Sequence, residues 1–163
     1  VLVGQMAAGK TTVGTLLARR LGRPFFDSDR DIERRSGLSA AEFLERNGLE
    51  ALHRLEEAHL LRSLRGSAPA VIAAAAATVD RSLVRRRLRG QHVIWLRAPV
   101  GTLVERIARD PRRPILGEAE HYLERLQRRR RALFAGIATG VVDTRGQTPE
   151  SIVDRIVESI RSG

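Results

Sequence analysis

Eight consecutive residues near the start of the chain, Gly4-Gln5-Met6-Ala7-Ala8-Gly9-Lys10-Thr11, follow the spacing G-x-x-x-x-G-K-[ST] without a gap. They lie between an apolar triplet, Val1-Leu2-Val3, and a segment from Thr11 to Leu21 whose Val13, Leu16, Leu17 and Leu21 recur on one helical face. Glycines at the two ends permit a tight turn in which successive backbone N–H groups point inward. A helix begun directly after that turn adds the partial positive charge of its N-terminus. The pattern therefore predicts a phosphate-binding loop made by Gly4, Ala7, Ala8, Gly9, Lys10, Thr11 and Thr12, set between a strand and a helix. In such a loop Lys10 would reach the β- and γ-phosphates of ATP, and the Thr11 hydroxyl would ligate Mg²⁺.

One count supports this reading. Of the 29 basic residues 28 are arginine, and the single lysine is Lys10. A chain that uses arginine everywhere else keeps a compact ammonium only where a point charge must fit a narrow loop.

The net charge of +10 admits attraction to a polyanion or plain arginine bias. The arginines are scattered along the chain, and only Trp95, Tyr122 and four phenylalanines are available for base stacking. Bias is the preferred reading, and no nucleic-acid partner is expected. There is no cysteine, which removes disulfides and thiolate metal sites. No apolar run approaches the roughly 20 residues that span a bilayer, and no signal-peptide pattern opens the chain. A cytoplasmic protein without a membrane partner is the expectation. The opening Val1-Leu2-Val3, lacking an initiator methionine, is read as the remainder of a longer first strand.

Beyond the loop, short apolar runs alternate with amphipathic ones. Strands are expected at Val1–Val3, Pro24–Phe26, Ala70–Ala73, His92–Leu96 and Gly140–Asp143. Helices are expected over Thr11–Leu21, Asp29–Arg35, Arg81–Arg89, Pro99–Arg109 and Glu118–Ala135. A longer one runs from the capping-box spacing at Ser39 to about Arg65, bent near Asn47-Gly48. A last helix starts at Thr148-Pro149, with Ile152, Ile156, Val157 and Ile160 facing inward. Two prolines, Pro111 and Pro114, exclude helix between Asp110 and Pro114. The whole predicts one α/β domain over 1–163, a three-layer αβα P-loop fold on a five-stranded parallel sheet.

Several further segments carry a resemblance. They are Phe26-Asp27-Ser28-Asp29 with Ile32-Glu33, Gly37 with Glu42, Asn47-Gly48, Leu55-Glu56-Glu57, Val93-Ile94-Trp95-Leu96, Arg113-Pro114-Ile115-Leu116, Arg130 with Leu133-Phe134, and Val142-Asp143-Thr144. In their order and spacing these resemble the shikimate kinases over nearly the full length. The resemblance implies a nucleoside-monophosphate-kinase-like fold, Mg-ATP as phosphate donor and a small hydroxy acid or cyclitol as acceptor. It also implies a monomer, a lid at about 110–118 and acceptor-binding helices at about 29–65. By position, Lys10 and Thr11 match the phosphate and metal residues, Asp27 the acid that holds magnesium through water, and Asp29 the acid that activates the acceptor hydroxyl. Arg113 matches the lid arginine that closes on the transferring phosphate, Arg106 and Pro149 the pair that sandwiches adenine, and Arg130 an arginine that clamps the acceptor carboxylate. Asp27 and Asp29 are expected on one strand face at period two.

The departures from the pattern fall on the acceptor side. Ala75-Ala76-Ala77 stands where the family carries three glycines, and three added β-carbons should intrude on the acceptor or displace the loop. His53 stands where the family has its second clamping arginine, and its neighbour Arg54 points elsewhere on the helix. Leu49 replaces an expected glutamate, and Leu44 and Leu52 replace two aromatics, while Glu56 is retained. Three functions stay open: a kinase of shikimate, a kinase of another cyclitol or sugar acid, and a nucleotide-binding paralogue without turnover.

Overall fold

The computed structural model describes residues 1–110 and 119–161. The expected lid, with Arg113, lies almost wholly outside the described residues.

Five parallel strands form one sheet: β1 Leu2–Val3, β2 Phe25–Asp27, β3 Val71–Ala73, β4 Ile94–Arg97 and β5 Gly140–Asp143, in the order β2-β3-β1-β4-β5. Leu2 of the central strand lies opposite both Ala73 and Ile94. Strand β4 shows why its sequence is apolar throughout. Ile94 and Leu96 face one core cluster, Val93 and Trp95 the other, so both faces are covered. Trp95 also stacks on Phe134, with ring centroids 5.7 Å apart.

Among the described residues eight helices cover the sheet: α1 Lys10–Leu21, α2 Ser28–Ser36, α3 Ala40–Asn47, α4 Leu49–Ser63, α5 Ser82–Leu88, α6 Val100–Ala108, α7 Ala119–Ala135 and α8 Pro149–Arg161. Val13 and Leu17 of α1, Leu103 and Ile107 of α6, and Ile152, Val153, Ile156 and Val157 of α8 bury on one side of the sheet. Leu60 of α4, Val84 and Leu88 of α5, and Phe134 of α7 bury on the other. The three-layer arrangement is the one the alternating pattern predicts.

Most element bounds fall within two residues of expectation. The long helix expected from Ser39 to Arg65 is instead two helices. Its capping box forms, with Glu42 bonded to Ser39 through both backbone and side chain, but Gly48 adopts φ 81 and ψ 166 and ends the helical path. That dihedral pair lies outside the range open to residues with a β-carbon, so glycine allows a break where a bend was expected. α2 and α4 are tied by the buried Asp31, whose Oδ2 lies 2.9 Å from Nδ1 of buried His59. Burial alone would raise the Asp31 carboxyl, but its bonds to His59, Arg35 and Arg34 outweigh that and hold it well below the usual carboxylate range.

Candidate active site

The loop between β1 and α1 takes the shape its spacing requires. Gly4 has φ 144, and a β-carbon there would sit 2.4 Å from the carbonyl oxygen of Leu96, so strand β4 leaves room only for glycine. Ala7 has φ 60, the one positive value at a non-glycine among the described residues. Gly9, at φ 95, precedes α1 without any side-chain cap, and the first turn of α1 carries no acidic side chain. Its N-terminal N–H groups and dipole are therefore presented to an anion. Lys10 Nζ donates to the carbonyls of Gly4 and Gln5, each at 2.9 Å, which folds the ammonium over the loop.

Asp27 closes this half of the site from β2. Thr11 Oγ1 donates to Asp27 Oδ2 at 2.7 Å, while Asp27 Oδ1 accepts the backbone N–H of Asp29 at 3.0 Å and so caps α2. A hydroxyl and a carboxylate beside a phosphate loop form the hard-oxygen donor pair that suits Mg²⁺, which takes few protein ligands and completes its shell with water and phosphate oxygens. Asp29 is not on the strand face with Asp27, as period two predicts. The strand ends at Asp27, and Asp29 occupies the first turn of α2 with its side chain exposed. The helix starts one residue earlier than expected, because the short side chain of Asp27 captures the N–H two residues on.

Arg106 of α6 spans the loop from the far side. Its Nη1 donates to Ala7 O at 3.2 Å and to Thr144 Oγ1 at 3.0 Å, and its Nη2 to Thr144 O at 2.8 Å. The phosphate loop is thus pinned to the end of β5. Pro149, expected to face Arg106 across adenine, is the first residue of α8 and half-buried. Thr12 lies exposed in the first turn of α1.

The half expected to take the acceptor gathers around Glu56 of α4. This carboxyl is buried, and its Oε2 has no hydrogen-bond partner. Burial pushes its pKa up from the ordinary 4.5 to about 7, the charge of Asp29 adds to the rise, and Lys10 and Arg130 oppose it. Lys10 from the phosphate loop, Asp29 from α2 and Arg130 from α7 thus act on one carboxyl. His53, one turn earlier on α4, is half-buried, and its pKa is lowered by burial and then by the positive charges of Arg81 and Arg130. At neutral pH it stands there as an uncharged imidazole, so it does not replace the missing arginine as a cation. Ala75, Ala76 and Ala77 are half-buried and lead from β3 into a 3₁₀ turn, Ala76–Asp80, fastened by Thr78 Oγ1 donating to Ala75 O at 2.6 Å.

Arg130 is buried, whereas Arg128, Arg129 and Arg131 are exposed, so the structure singles out one arginine of that run. Sequence reasoning missed what holds it. Asp80, at the end of the 3₁₀ turn, accepts from Arg130 Nε at 3.3 and 3.2 Å and from Nη2 at 2.8 Å. Gln5, at a variable position of the loop, was missed as well. It is buried, its Oε1 lies 3.5 Å from Arg130 Nη1, and its Nε2 has no partner. The available signal was physical: an arginine that folds into a core needs a counter-charge. A cavity of about 500 Å³ opens elsewhere, between α7 and the ends of β4 and β5, and its walls include Trp95, Pro99 and Gln127 but no residue of the phosphate loop.

The family profile described as shikimate kinase matches residues 6–161. The chain is similar to a shikimate kinase of Thermobifida fusca, 34% identical over 161 residues, with 98% of this chain and 93% of that protein covered. It is 38% identical over 162 residues to a shikimate kinase of Chromobacterium violaceum, covering 98% of this chain and 88% of that one. Its backbone resembles that of a shikimate kinase from Acinetobacter baumannii in complex with shikimate, with a TM-score of 0.91, 32% identity, and 99% and 91% of the two chains covered.

Proposed function

The chain belongs to the shikimate kinase family and is an ATP-dependent phosphotransferase acting on a hydroxyl; on that premise we propose that its acceptor is a small hydroxy acid, with shikimate, phosphorylated at its 3-hydroxyl, the first candidate. What supports this most directly is the geometry of the loop, where Lys10 folds over Gly4 and Gln5, Thr11 bonds Asp27, and Asp27 in turn holds the N–H of Asp29. A lysine that binds the donor's phosphates and an acid that faces the acceptor must share one reaction space for an in-line transfer.

When bound, Mg²⁺ would neutralise charge on the donor's phosphates, and Thr11 and Asp27 are the residues that would hold it. Backbone amides of Gly4 to Gly9, with Lys10 and the start of α1, bind and orient the phosphates. Ala7, Ala8 and Thr12 line the same cradle, while Arg106 and Pro149 flank the base. Asp29 accepts the proton of the acceptor hydroxyl as its oxygen bonds to the γ-phosphorus and the bridging bond to ADP breaks. A strong base is unnecessary, because the transfer depends on position and charge neutralisation. Arg113, from the lid at about 110–118, supplies positive charge to the transferring group. Arg130, His53 and the Ala75–Ala77 segment bound the acceptor within the helices at about 29–65. No helix among the described residues is long and apolar enough to cross a membrane, and we place the enzyme in the cytoplasm as a monomer.

His53 and the alanine run favour a second reading, in which another cyclitol or a sugar acid is preferred. A coupled assay of ADP release with shikimate, quinate, gluconate and uncharged cyclitols decides between them. Shikimate-dependent release is expected. Thermal stabilisation by ATP without release from any acceptor would reduce the protein to a nucleotide-binding paralogue.

A further inference from the structure

The guanidinium expected to receive the acceptor's carboxylate already holds one from its own chain. Asp80 engages Arg130 through Nε and Nη2, the pair of donors that makes a guanidinium a bidentate partner for a carboxylate. Only Nη1 faces elsewhere, and Gln5 Oε1 lies 3.5 Å from it. The side chains of Arg130 and Asp80 are 7% and 16% exposed, so water screens this pair little. Arg129 Nη2 adds a second cation at 3.3 Å from Asp80 Oδ2 and steadies it in place.

We propose that Asp80 is a specificity residue that occupies the carboxylate-binding face of Arg130, so that the acceptor is recognised through its hydroxyls and gains little from a carboxylate. The inference rests on the reading of Arg130 as part of the acceptor site. Three features converge on it. The guanidinium that would receive a carboxylate is already paired with one. The position expected to hold a second arginine carries His53, which burial and the flanking Arg81 and Arg130 keep uncharged at neutral pH, with Glu50 and Asp80 acting in the opposite sense. The polar atoms left without partners beside Arg130 are Gln5 Nε2, a neutral donor, and Glu56 Oε2, both buried. A neutral amide and a carboxyl of raised pKa suit the hydroxyls of a polyol ring better than an anion.

The 3₁₀ turn after β3 brings Asp80 there. The turn begun at Ala75 and Ala76 carries the chain through Thr78 and Val79, both buried, so that Asp80 emerges against α7. A bound carboxylate would have to displace Asp80 or share one guanidinium with it, and two like charges at that separation repel.

The test compares shikimate with its uncharged carboxamide, using wild type and Asp80→Asn. In wild type the KM values of the two acceptors should agree within about threefold, since a hydrogen bond to a free charged group would separate them by roughly 10- to 150-fold. Asp80→Asn should lower the KM for shikimate about tenfold or more while leaving kcat within about threefold and the carboxamide KM nearly unchanged. A wild-type preference for shikimate above about 30-fold, or an unchanged or higher shikimate KM in the variant, would overturn the inference. If ADP is released with neither acceptor, the kinase reading fails separately. Calorimetric titration of shikimate into both ADP-bound proteins then decides the point: tighter binding by Asp80→Asn supports it, and equal or undetectable binding by both sinks it.

Discussion

The hydroxyl of Thr11 donates to Oδ2 of Asp27 at 2.7 Å, joining the first turn of α1 to the end of β2. Asp27 uses its other oxygen to cap α2 through the N–H of Asp29. The carboxylate we propose for Mg²⁺ thus also caps a helix, and the two roles can be separated. Asn at this position keeps a capping oxygen but loses the charge, whereas Ala loses both. Asp27→Asn is expected to raise the Mg²⁺ concentration for half-maximal activity about tenfold or more, with a melting temperature close to wild type. Asp27→Ala should show the same metal defect and a further loss of about 1 kcal/mol in stability. Unchanged metal dependence in the Asn variant would remove Asp27 from the magnesium site.

Lys10 is the second separable element. Its ammonium donates to two backbone carbonyls of its own loop, Gly4 O and Gln5 O. Those bonds contribute little to the fold, because a half-buried ammonium exchanges them readily for water. Lys10→Ala should therefore keep near-native circular dichroism and melting temperature. Turnover should fall by at least about two orders of magnitude, as expected when a pre-positioned charge is removed from the transition state. Near-normal kcat in this variant would take the loop out of the mechanism.

The parts legible in the sequence are those governed by local rules. The phosphate loop is one, because Gly4, Gly9, Lys10 and Thr11 are set by the geometry that binding a phosphate requires. Strand β4 is another, since an uninterrupted Val93-Ile94-Trp95-Leu96 has both faces buried. Gly22 ends α1 as expected, with φ 61 and its N–H bonded to Ala18 O and Arg19 O. What escaped was decided by distance or by backbone choice. Asp80 and Arg130 are 50 residues apart, and no periodicity relates them. In the sequence Gly48 reads as a bend because a glycine within a helix is tolerated, while its φ of 81 depends on how α3 and α4 pack. Asp29 left the strand face because a capping bond from Asp27 outweighed extension of the strand by two residues.

Ala7 carries a measurable strain. At φ 60 its β-carbon crowds the neighbouring carbonyl, at a cost of about 1–2 kcal/mol that glycine does not incur. Part of the gain from Ala7→Gly is offset by the greater freedom of glycine in the unfolded chain. A net stabilisation of about 1 kcal/mol is expected, or roughly 2–4 °C in melting temperature for a domain of this size. ATP affinity should change little, because the loop already has the conformation that glycine prefers. A lower melting temperature in this variant would show that the methyl group contributes packing that exceeds the strain.

Glu56 gives the protein a pH dependence of known sign. Its folded pKa of about 7 lies above the ordinary 4.5, chiefly because it is buried and then because Asp29 is near. Between those values this carboxyl binds more protons in the folded chain than in the unfolded one, so the stability it contributes is fullest below about pH 4.5 and is lost as pH rises through about 7. A rise of that size corresponds to a penalty on the order of 3 kcal/mol above pH 7. Glu56→Gln removes the charge while keeping the shape, so it should raise the melting temperature relative to wild type by several degrees at about pH 8 and hardly at all at about pH 4.5. Taking the difference between the two proteins cancels the titration of every group they share. Equal differences at both pH values would mean that this carboxyl is not held protonated by its surroundings, and the electrostatic picture of the acceptor pocket would have to be redrawn.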